Sequence, residues 1–223
     1  MKVPLVINAL VKYLAGVVLC GAMLFLPAGT WHYMGAWLFM SLLFVPMLVV
    51  GVVLALKSPN LLKSRLEAKE SKRSQDIVVK LSGLLFVASF VVAGFNHRYA
   101  WVTPPTWSVW VSGLIFVCSY LLYAEVLREN RYLSRTIKVV EGQQLIDTGL
   151  YSIVRHPMYM ATTLLFLAMP MVLASPISLG IMLLYLPLIA QRIKTEESLL
   201  EEQLPGYVEY KKRVRYRMIP FVY

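Results

Sequence analysis

Residues 157–191 read PMYMATTLLFLAMPMVLASPISLGIMLLYLPLIAQ, a stretch of 35 residues without a charged side chain. Two full membrane-spanning helices of about 20 residues each, plus a turn, would need a longer stretch. The stretch therefore predicts a compressed hairpin of two helices of about 16 residues, with Ser175-Pro176 near its turn. Met169-Pro170 is expected to kink the first helix, because a proline removes a backbone hydrogen bond.

Four further apolar runs precede this hairpin, at residues 3–26, 33–56, 81–95 and 106–124. Hydrophobic residues make up 58% of the 223 residues and charged residues only 15%, where a soluble domain carries about 25% charge. A chain of this size cannot cover so much apolar surface with polar groups, which excludes a soluble fold and a disordered chain. We expect an all-α, polytopic membrane protein with four transmembrane helices and the short C-terminal hairpin.

The basic residues are distributed unevenly among the polar segments. The loops at residues 27–35 and 96–105 hold one Lys or Arg between them. Residues 57–80 hold seven, residues 125–155 hold five and the tail from residue 192 holds another seven. Because basic loops stay in the cytoplasm, both termini and all large polar segments are predicted to be cytoplasmic.

The charge pattern and the remaining special residues exclude several function classes. The net charge of +10 lies in blocks between apolar runs, as expected near anionic lipid, which argues against nucleic acid as a partner. The middle of one block, residues 60–76, predicts a helix lying on the headgroups. The two cysteines and three histidines show no CxxC pair and no HExxH spacing, so no metal is expected. The two charged residues at apolar runs, Lys12 and Glu125, lie near the ends of those runs and not at mid-depth. A proton-driven transporter or a channel is expected to carry ionisable groups at mid-depth, so the pattern argues against both.

Two polar segments flank the hairpin and carry reactive and charged groups. The first, residues 143–159, reads QQLIDTGLYSIVRHPMY, and the second, residues 192–220, begins RIKTEE and continues through PGYVEYKKRV to IP. A hairpin returns the chain to the side that it left, so both segments are expected at one cytoplasmic face. Taken alone, Arg155-His156-Pro157 is typical of a helix start, Glu196-Glu197 of a solvated helix face and the basic tail of a lipid contact. Their combination around one hairpin favours a functional site.

The first segment resembles the signature of the isoprenylcysteine carboxyl methyltransferases and their relatives, the phospholipid methyltransferases. The likeness rests on Gly149-x-Tyr151-x-x-x-Arg155-His156-Pro157-x-Tyr159, on Arg192-x-Lys194-x-Glu196-Glu197, and on a following Gly, Tyr-Lys-Lys-Arg-Val and closing Pro. The resemblance implies an integral-membrane methyltransferase that uses S-adenosyl-L-methionine (SAM) and takes a lipophilic acceptor from the bilayer. The lack of a G-x-G-x-x-G motif after any predicted strand agrees with this, because a soluble dinucleotide-type site is then not expected.

The resemblance also implies roles for individual residues. It implies cofactor contacts for Gln143, Leu145, Ile146, Gly149, Tyr151, His156, Pro157, Tyr159, Glu196 and Glu197. The two apolar residues would pack on the adenine, and the two glutamates would hold the polar end of the cofactor. Arg192 is implied as the residue that orients the acceptor, with Arg155 as the second candidate. Gln143 departs from the isoprenylcysteine enzymes, which tend to carry histidine there, but glutamine also donates hydrogen bonds.

The implied reaction is carboxyl O-methylation of an isoprenylcysteine-like substrate, with phospholipid amine or thiol methylation as alternatives. A carboxylate needs no general base and an arginine holds it through two hydrogen bonds, whereas an amine must first lose a proton. Two other classes stay open. One is an NADPH-dependent membrane reductase of the sterol type, which shares Arg-His-Pro-x-Tyr but has an Arg-Asp pair and a Cys in place of Glu-Glu. The other is a non-catalytic membrane scaffold or transporter.

The expected organisation has two parts. Residues 1–124 are predicted to form transmembrane helices 1–4 with the cytoplasmic loop 57–80. Residues 125–223 are predicted to form the catalytic methyltransferase region, which includes hairpin 157–191 and the cytoplasmic tail. Membrane lipids and a lipophilic or lipidated substrate are the expected partners.

Overall fold

A computed structural model of the chain describes residues 2–66, 73–130, 132–133, 139 and 141–223. All the regular secondary structure in these residues is helical. No strand occurs among these residues. The α-helices are α1 (Lys2–Ala28), α2 (Met34–Lys57), α3 (Pro59–Leu66), α4 (Arg73–Tyr99), α5 (Thr106–Glu129), α6 (Pro157–Val172), α7 (Pro176–Leu183), α8 (Tyr185–Gln203) and α9 (Tyr207–Arg213). A turn of 3-10 helix covers Gly149–Ser152.

Within the described ranges, five helical segments are long and apolar enough to cross a membrane. They are Pro4–Ala28, Met34–Lys57, Asp76–Tyr99, Thr106–Glu129 and Pro176–Gln203. The first four coincide with the four apolar runs of the sequence and confirm those predictions. Large apolar side chains on the outside of the bundle, such as Val18, Leu56 and Leu114, are more than 60% exposed, as lipid-facing residues are. The protein is therefore a multi-pass integral membrane protein.

The C-terminal hairpin differs from the prediction in its second arm. The first arm, α6, has the 16 residues expected, with Pro170 inside it. The second arm is not of equal length: α7 and α8 together run for 28 residues, from Pro176 to Gln203. The prediction ended this arm at the first charge, but the helix continues through Arg192 and Glu197, whose side chains are buried in the protein. Buried, paired charges do not end a helix, so the length of the apolar run underestimates the length of this arm.

The predicted headgroup helix at residues 60–76 is represented by parts of two elements. Its first part lies in α3, and its last residues lie in the first turn of α4. Residues 67–72 lie outside the described residues. The Lys12 ammonium on α1 donates a hydrogen bond to the Leu66 carbonyl at 2.9 Å, so the end of α3 lies beside the N-terminal half of α1.

Side chains at one end of the bundle hold the α6–α7 turn. The Tyr33 hydroxyl donates to the Leu173 carbonyl at 2.5 Å, and the Asn96 amide donates to the Ala174 carbonyl at 3.2 Å. Leu173 caps the end of α6, where carbonyls lack partners within the helix, and Ala174 lies in the turn beyond it. Each of these carbonyls receives a side-chain donor. Because α6 ends at this fixed turn, its start at Pro157 lies at the opposite end of the bundle, where α5 ends.

Helices α1 and α4 approach each other at Gly94. A Cβ atom built on Gly94 would lie 2.7 Å from the Leu24 carbonyl oxygen and 2.9 Å from Pro27 Cβ. The neighbouring Ala93 is completely buried, so the contact is close along this part of α4. Small residues let two membrane helices pack backbone to backbone, which is a main source of their association energy.

We expect Gly94→Ala to destabilise the bundle by about 1–3 kcal/mol, because the added methyl group meets backbone atoms that cannot rotate away. The thermal unfolding midpoint in detergent measures this. Gly83→Ala is the matched control, since Gly83 is on the same helix and a Cβ there meets nothing within 4 Å. Equal midpoints for the two variants would contradict the close α1–α4 contact.

Candidate functional site

A cavity opens at the end of the bundle where α5 ends and α6 begins. Its empty volume is about 570 Å³ when the open mouth is included. The lining consists of Asn130, Leu133, Gln143, Gln144, Leu145, Ile146, Tyr151, Arg155, His156, Met158, Tyr159, Glu196, Leu200, Leu204, Tyr207 and Tyr210. The two polar segments of the sequence therefore meet around one cavity.

The wall formed by the first segment is fixed by Glu129 at the end of α5. Its carboxylate accepts the Leu150 backbone N–H at 3.1 and 3.2 Å. Gly149 has φ +53°, which strains any other residue, and a Cβ there would lie 1.6 Å from a Glu129 carboxylate oxygen and displace that side chain. Gly149 thus shapes the wall and is not itself part of the lining.

Tyr151 is held from both sides of the cavity. The Asn130 amide donates to the Tyr151 hydroxyl at 2.9 Å, and the Tyr210 hydroxyl donates to the Tyr151 carbonyl at 2.7 Å. These bonds join the end of α5, the 3-10 turn and α9. The C-terminal helix is thereby part of the cavity wall.

The start of α6 is bound to the C-terminal tail through the backbone. His156 is the N-cap residue and Pro157 occupies the first helical position, where its missing N–H costs no helix bond. The Arg155 N–H donates to the Tyr216 carbonyl at 3.0 Å, and the His156 N–H donates to the Arg217 carbonyl at 2.7 Å. The tail is thus paired with the residues that precede α6.

Glu197 forms the centre of a buried ionic cluster. Arg155 Nε donates to Glu197 Oε1 at 2.7 Å, and Arg217 Nε donates to Glu197 Oε2 at 2.8 Å. Arg155 Nη1 also donates to the Val214 and Arg215 carbonyls, at 2.6 and 2.8 Å. Glu197 is only 2% exposed, so its charge is balanced by the two guanidinium groups and not by water.

A series of side-chain hydrogen bonds joins α6 and α8. Arg192 Nε donates to the Tyr159 hydroxyl at 3.1 Å, and the Tyr159 hydroxyl donates to Glu196 Oε2 at 2.5 Å. Tyr159 and Glu196 line the cavity, whereas Arg192 lies behind Tyr159. The Arg192 charge therefore polarises the Tyr159 hydroxyl.

Two buried polar atoms on the cavity wall have no hydrogen-bond partner among the described residues. They are His156 Nε2 and the Tyr207 hydroxyl. The nearest carboxylate oxygen to His156 Nε2 belongs to Glu197, at 3.5 Å. Burial raises the pKa of the Tyr207 phenol, so it stays protonated and able to donate at neutral pH. Buried polar atoms without protein partners are rare, and in a cavity water or a bound molecule supplies the partner.

The structure brings most of the predicted site residues together. Those on the cavity wall are Gln143, Leu145, Ile146, Tyr151, Arg155, His156, Tyr159 and Glu196. Gly149, Pro157, Arg192 and Glu197 lie outside the lining and support it from behind. Their roles toward a ligand, and those of the lining residues, stay predictions.

Sequence reasoning missed several lining residues. The clearest are Tyr207 and Tyr210 on α9 and Leu200 and Leu204 near the end of α8. Tyr207 and Tyr210 are three positions apart, which places them on one face of a helix, and this spacing was the available signal. No group of three or more His, Cys, Asp or Glu that could hold a metal ion occurs in the described ranges.

The helices that form this cavity carry the likeness to known proteins. Residues 110–202 match the model of the isoprenylcysteine carboxyl methyltransferase (ICMT) family. This match confirms the resemblance and spans most of α5, α6, α7 and α8, but not α9. It supports a membrane methyltransferase.

A curated relative points to a different chemistry. Over 91 residues the chain is 34% identical to Delta(14)-sterol reductase TM7SF2 of Mus musculus. The aligned part is 40% of this chain and 22% of the reductase, so the chain matches about a fifth of that relative's length.

We expect Glu197→Gln to lower the free energy of unfolding by about 3–5 kcal/mol, because it leaves the buried Arg155 guanidinium and the partly exposed Arg217 guanidinium with one neutral partner. Thermal and denaturant unfolding in detergent measure the loss. Glu201→Gln is the matched control on the same helix, since Glu201 pairs with Lys211 at the surface and its loss should cost about 0–1 kcal/mol. Similar small effects in both variants would contradict the buried cluster.

Proposed function

We propose that this protein is a SAM-dependent methyltransferase whose cofactor binds in the cavity between the 3-10 turn, α6, α8 and α9. The observation that carries this proposal is that the ICMT family match covers the 3-10 turn, α6 and nearly all of α8, which form most of the cavity. The positive-inside pattern of the sequence supports a cytoplasmic position for this cavity and for both termini.

The residues of the cavity fit such a cofactor. Leu145 and Ile146 offer apolar surface for an adenine ring, and the Glu196 carboxylate offers an acceptor for an ammonium group. The unpartnered hydroxyl of Tyr207 offers a further polar contact. When bound, SAM supplies a methyl group that is already electrophilic. The protein's task is then to align the acceptor and to exclude water.

The proposed acceptor is lipophilic and reaches the cavity from the bilayer. The family name supports a prenylated cysteine carboxylate, with a phospholipid amine or a thiol as the alternatives. Arg192 remains the candidate for orienting the acceptor. In the structure Arg192 donates a hydrogen bond to the Tyr159 hydroxyl, and Tyr159 lines the cavity.

A sterol-type reductase is the second candidate, supported by the identity with the mouse reductase. Such an enzyme would bind NADPH in the same cavity. Against it stands Glu196-Glu197, where the reductases carry a different pair. The two candidates differ in the cofactor, so cofactor binding separates them.

The deciding experiment is calorimetric titration of the detergent-purified protein with SAM and, separately, with NADPH. We expect saturable binding of SAM. Binding of NADPH without SAM would favour the reductase. Binding of neither by folded protein would leave the non-catalytic scaffold or transporter.

In the same titration, Glu196→Ala should weaken SAM binding by about tenfold or more, because it removes a charged hydrogen-bond partner. Glu202→Ala, an exposed glutamate on the same helix, is the matched control and should bind like the wild type. Unchanged SAM binding by Glu196→Ala would remove this residue from the cofactor site.

Arg192→Ala should bind SAM nearly normally and lose turnover. Turnover is measured as transfer of labelled methyl to prenylcysteine analogues, amine lipids or thiols.

A further inference from the structure

Tyr207 stands at the start of α9, in a position fixed by the turn before it. Gly206 has φ +82°, a conformation that favours glycine, and the Tyr207 N–H donates to the Leu204 carbonyl at 3.2 Å. The Tyr207 ring packs 5.6 Å from the Tyr210 ring and the residue is 3% exposed. Its side chain is thus held in the cavity wall by backbone geometry and by packing.

The Tyr207 hydroxyl differs from the other phenols of the cavity. The Tyr210 hydroxyl donates to the Tyr151 carbonyl, the Tyr159 hydroxyl contacts Glu196 and Arg192, and the Tyr151 hydroxyl accepts from Asn130. The Tyr207 hydroxyl is buried and has no partner in the described part of the chain. Leaving a buried hydroxyl unpaired destabilises a fold, so a polar atom from a ligand is the expected partner.

The cavity lining offers hydrogen-bond acceptors as well as donors. Glu196 contributes a carboxylate, and Tyr207 contributes a hydroxyl that can donate. An α-amino acid group carries an ammonium and a carboxylate on one carbon atom. A lining with both an acceptor and a donor suits such a zwitterion.

We propose that the Tyr207 hydroxyl donates a hydrogen bond to the carboxylate at the methionine end of SAM, while Glu196 accepts from the ammonium. Tyr207 is then a cofactor-binding residue. The inference rests on the proposed function, but not on the family match, which ends at residue 202. It comes from an unpartnered atom in this structure.

The test compares Tyr207→Phe with Tyr210→Phe, since each removes one buried hydroxyl from α9. Tyr207→Phe should weaken SAM binding by about tenfold, and its unfolding midpoint without ligand should equal or exceed that of the wild type. Tyr210→Phe should lower the midpoint, because it breaks the bond to Tyr151. Weaker binding together with a lowered midpoint in Tyr207→Phe would assign Tyr207 a structural role and overturn the proposal.

A second ligand identifies the group that Tyr207 contacts. Decarboxylated SAM keeps the adenosine, the sulfonium and the ammonium but lacks the carboxylate. Wild-type protein and Tyr207→Phe should bind it equally, whereas they should differ about tenfold for SAM. Equal affinity of both proteins for SAM, or the same loss for both ligands, would overturn the assignment. Failure of the wild type to bind SAM would be a distinct result that overturns the proposed function and this inference together.

Discussion

The buried carboxylate of Glu197 is the contact on which the cavity end of the bundle depends. It joins Arg155, 42 positions earlier in the chain, to Arg217, 20 positions later. A buried charge is stable only when partners and further hydrogen bonds replace its water, and the tail carbonyls bound by Arg155 complete that replacement. The cluster therefore fixes which part of the tail lies against the start of α6. Through the tail it also fixes α9, which closes one side of the cavity.

Helix α6 is anchored at both ends by contacts to other parts of the chain. Just before its first residue the backbone of Arg155 and His156 pairs with the tail, and just beyond its last residue the Tyr33 hydroxyl binds the Leu173 carbonyl. With 16 residues it is about 24 Å long, which is shorter than the hydrocarbon layer of about 30 Å. A short helix is tolerated because its polar ends are satisfied by protein groups and not left in lipid. This arrangement holds the cavity wall at a constant distance from the opposite end of the bundle.

The same cavity architecture is compatible with two chemistries. The ICMT family match covers residues 110–202, and 91 residues of the chain align with a sterol reductase, so likeness alone does not choose between methyl transfer and reduction. The polar side chains that line the cavity distinguish the two chemistries. Here the lining combines the Glu196 carboxylate with the unpartnered Tyr207 hydroxyl. These groups suit a small zwitterionic end, which is why we favour SAM.

The sequence by itself determined the membrane class, the first four spans and the two segments that meet at the site, because apolar run length and charge blocks are local properties of the chain. It misjudged the length of the second hairpin arm, since it could not show that Arg192 and Glu197 are buried and paired. Nor could it divide the glutamate pair into Glu196 on the wall and Glu197 behind it. Adjacent helix positions point in different directions, and only the tertiary contacts decide which one faces the cavity. The unpartnered Tyr207 hydroxyl likewise emerged only when α9 was packed against the first segment, because a missing partner is a property of the assembled fold.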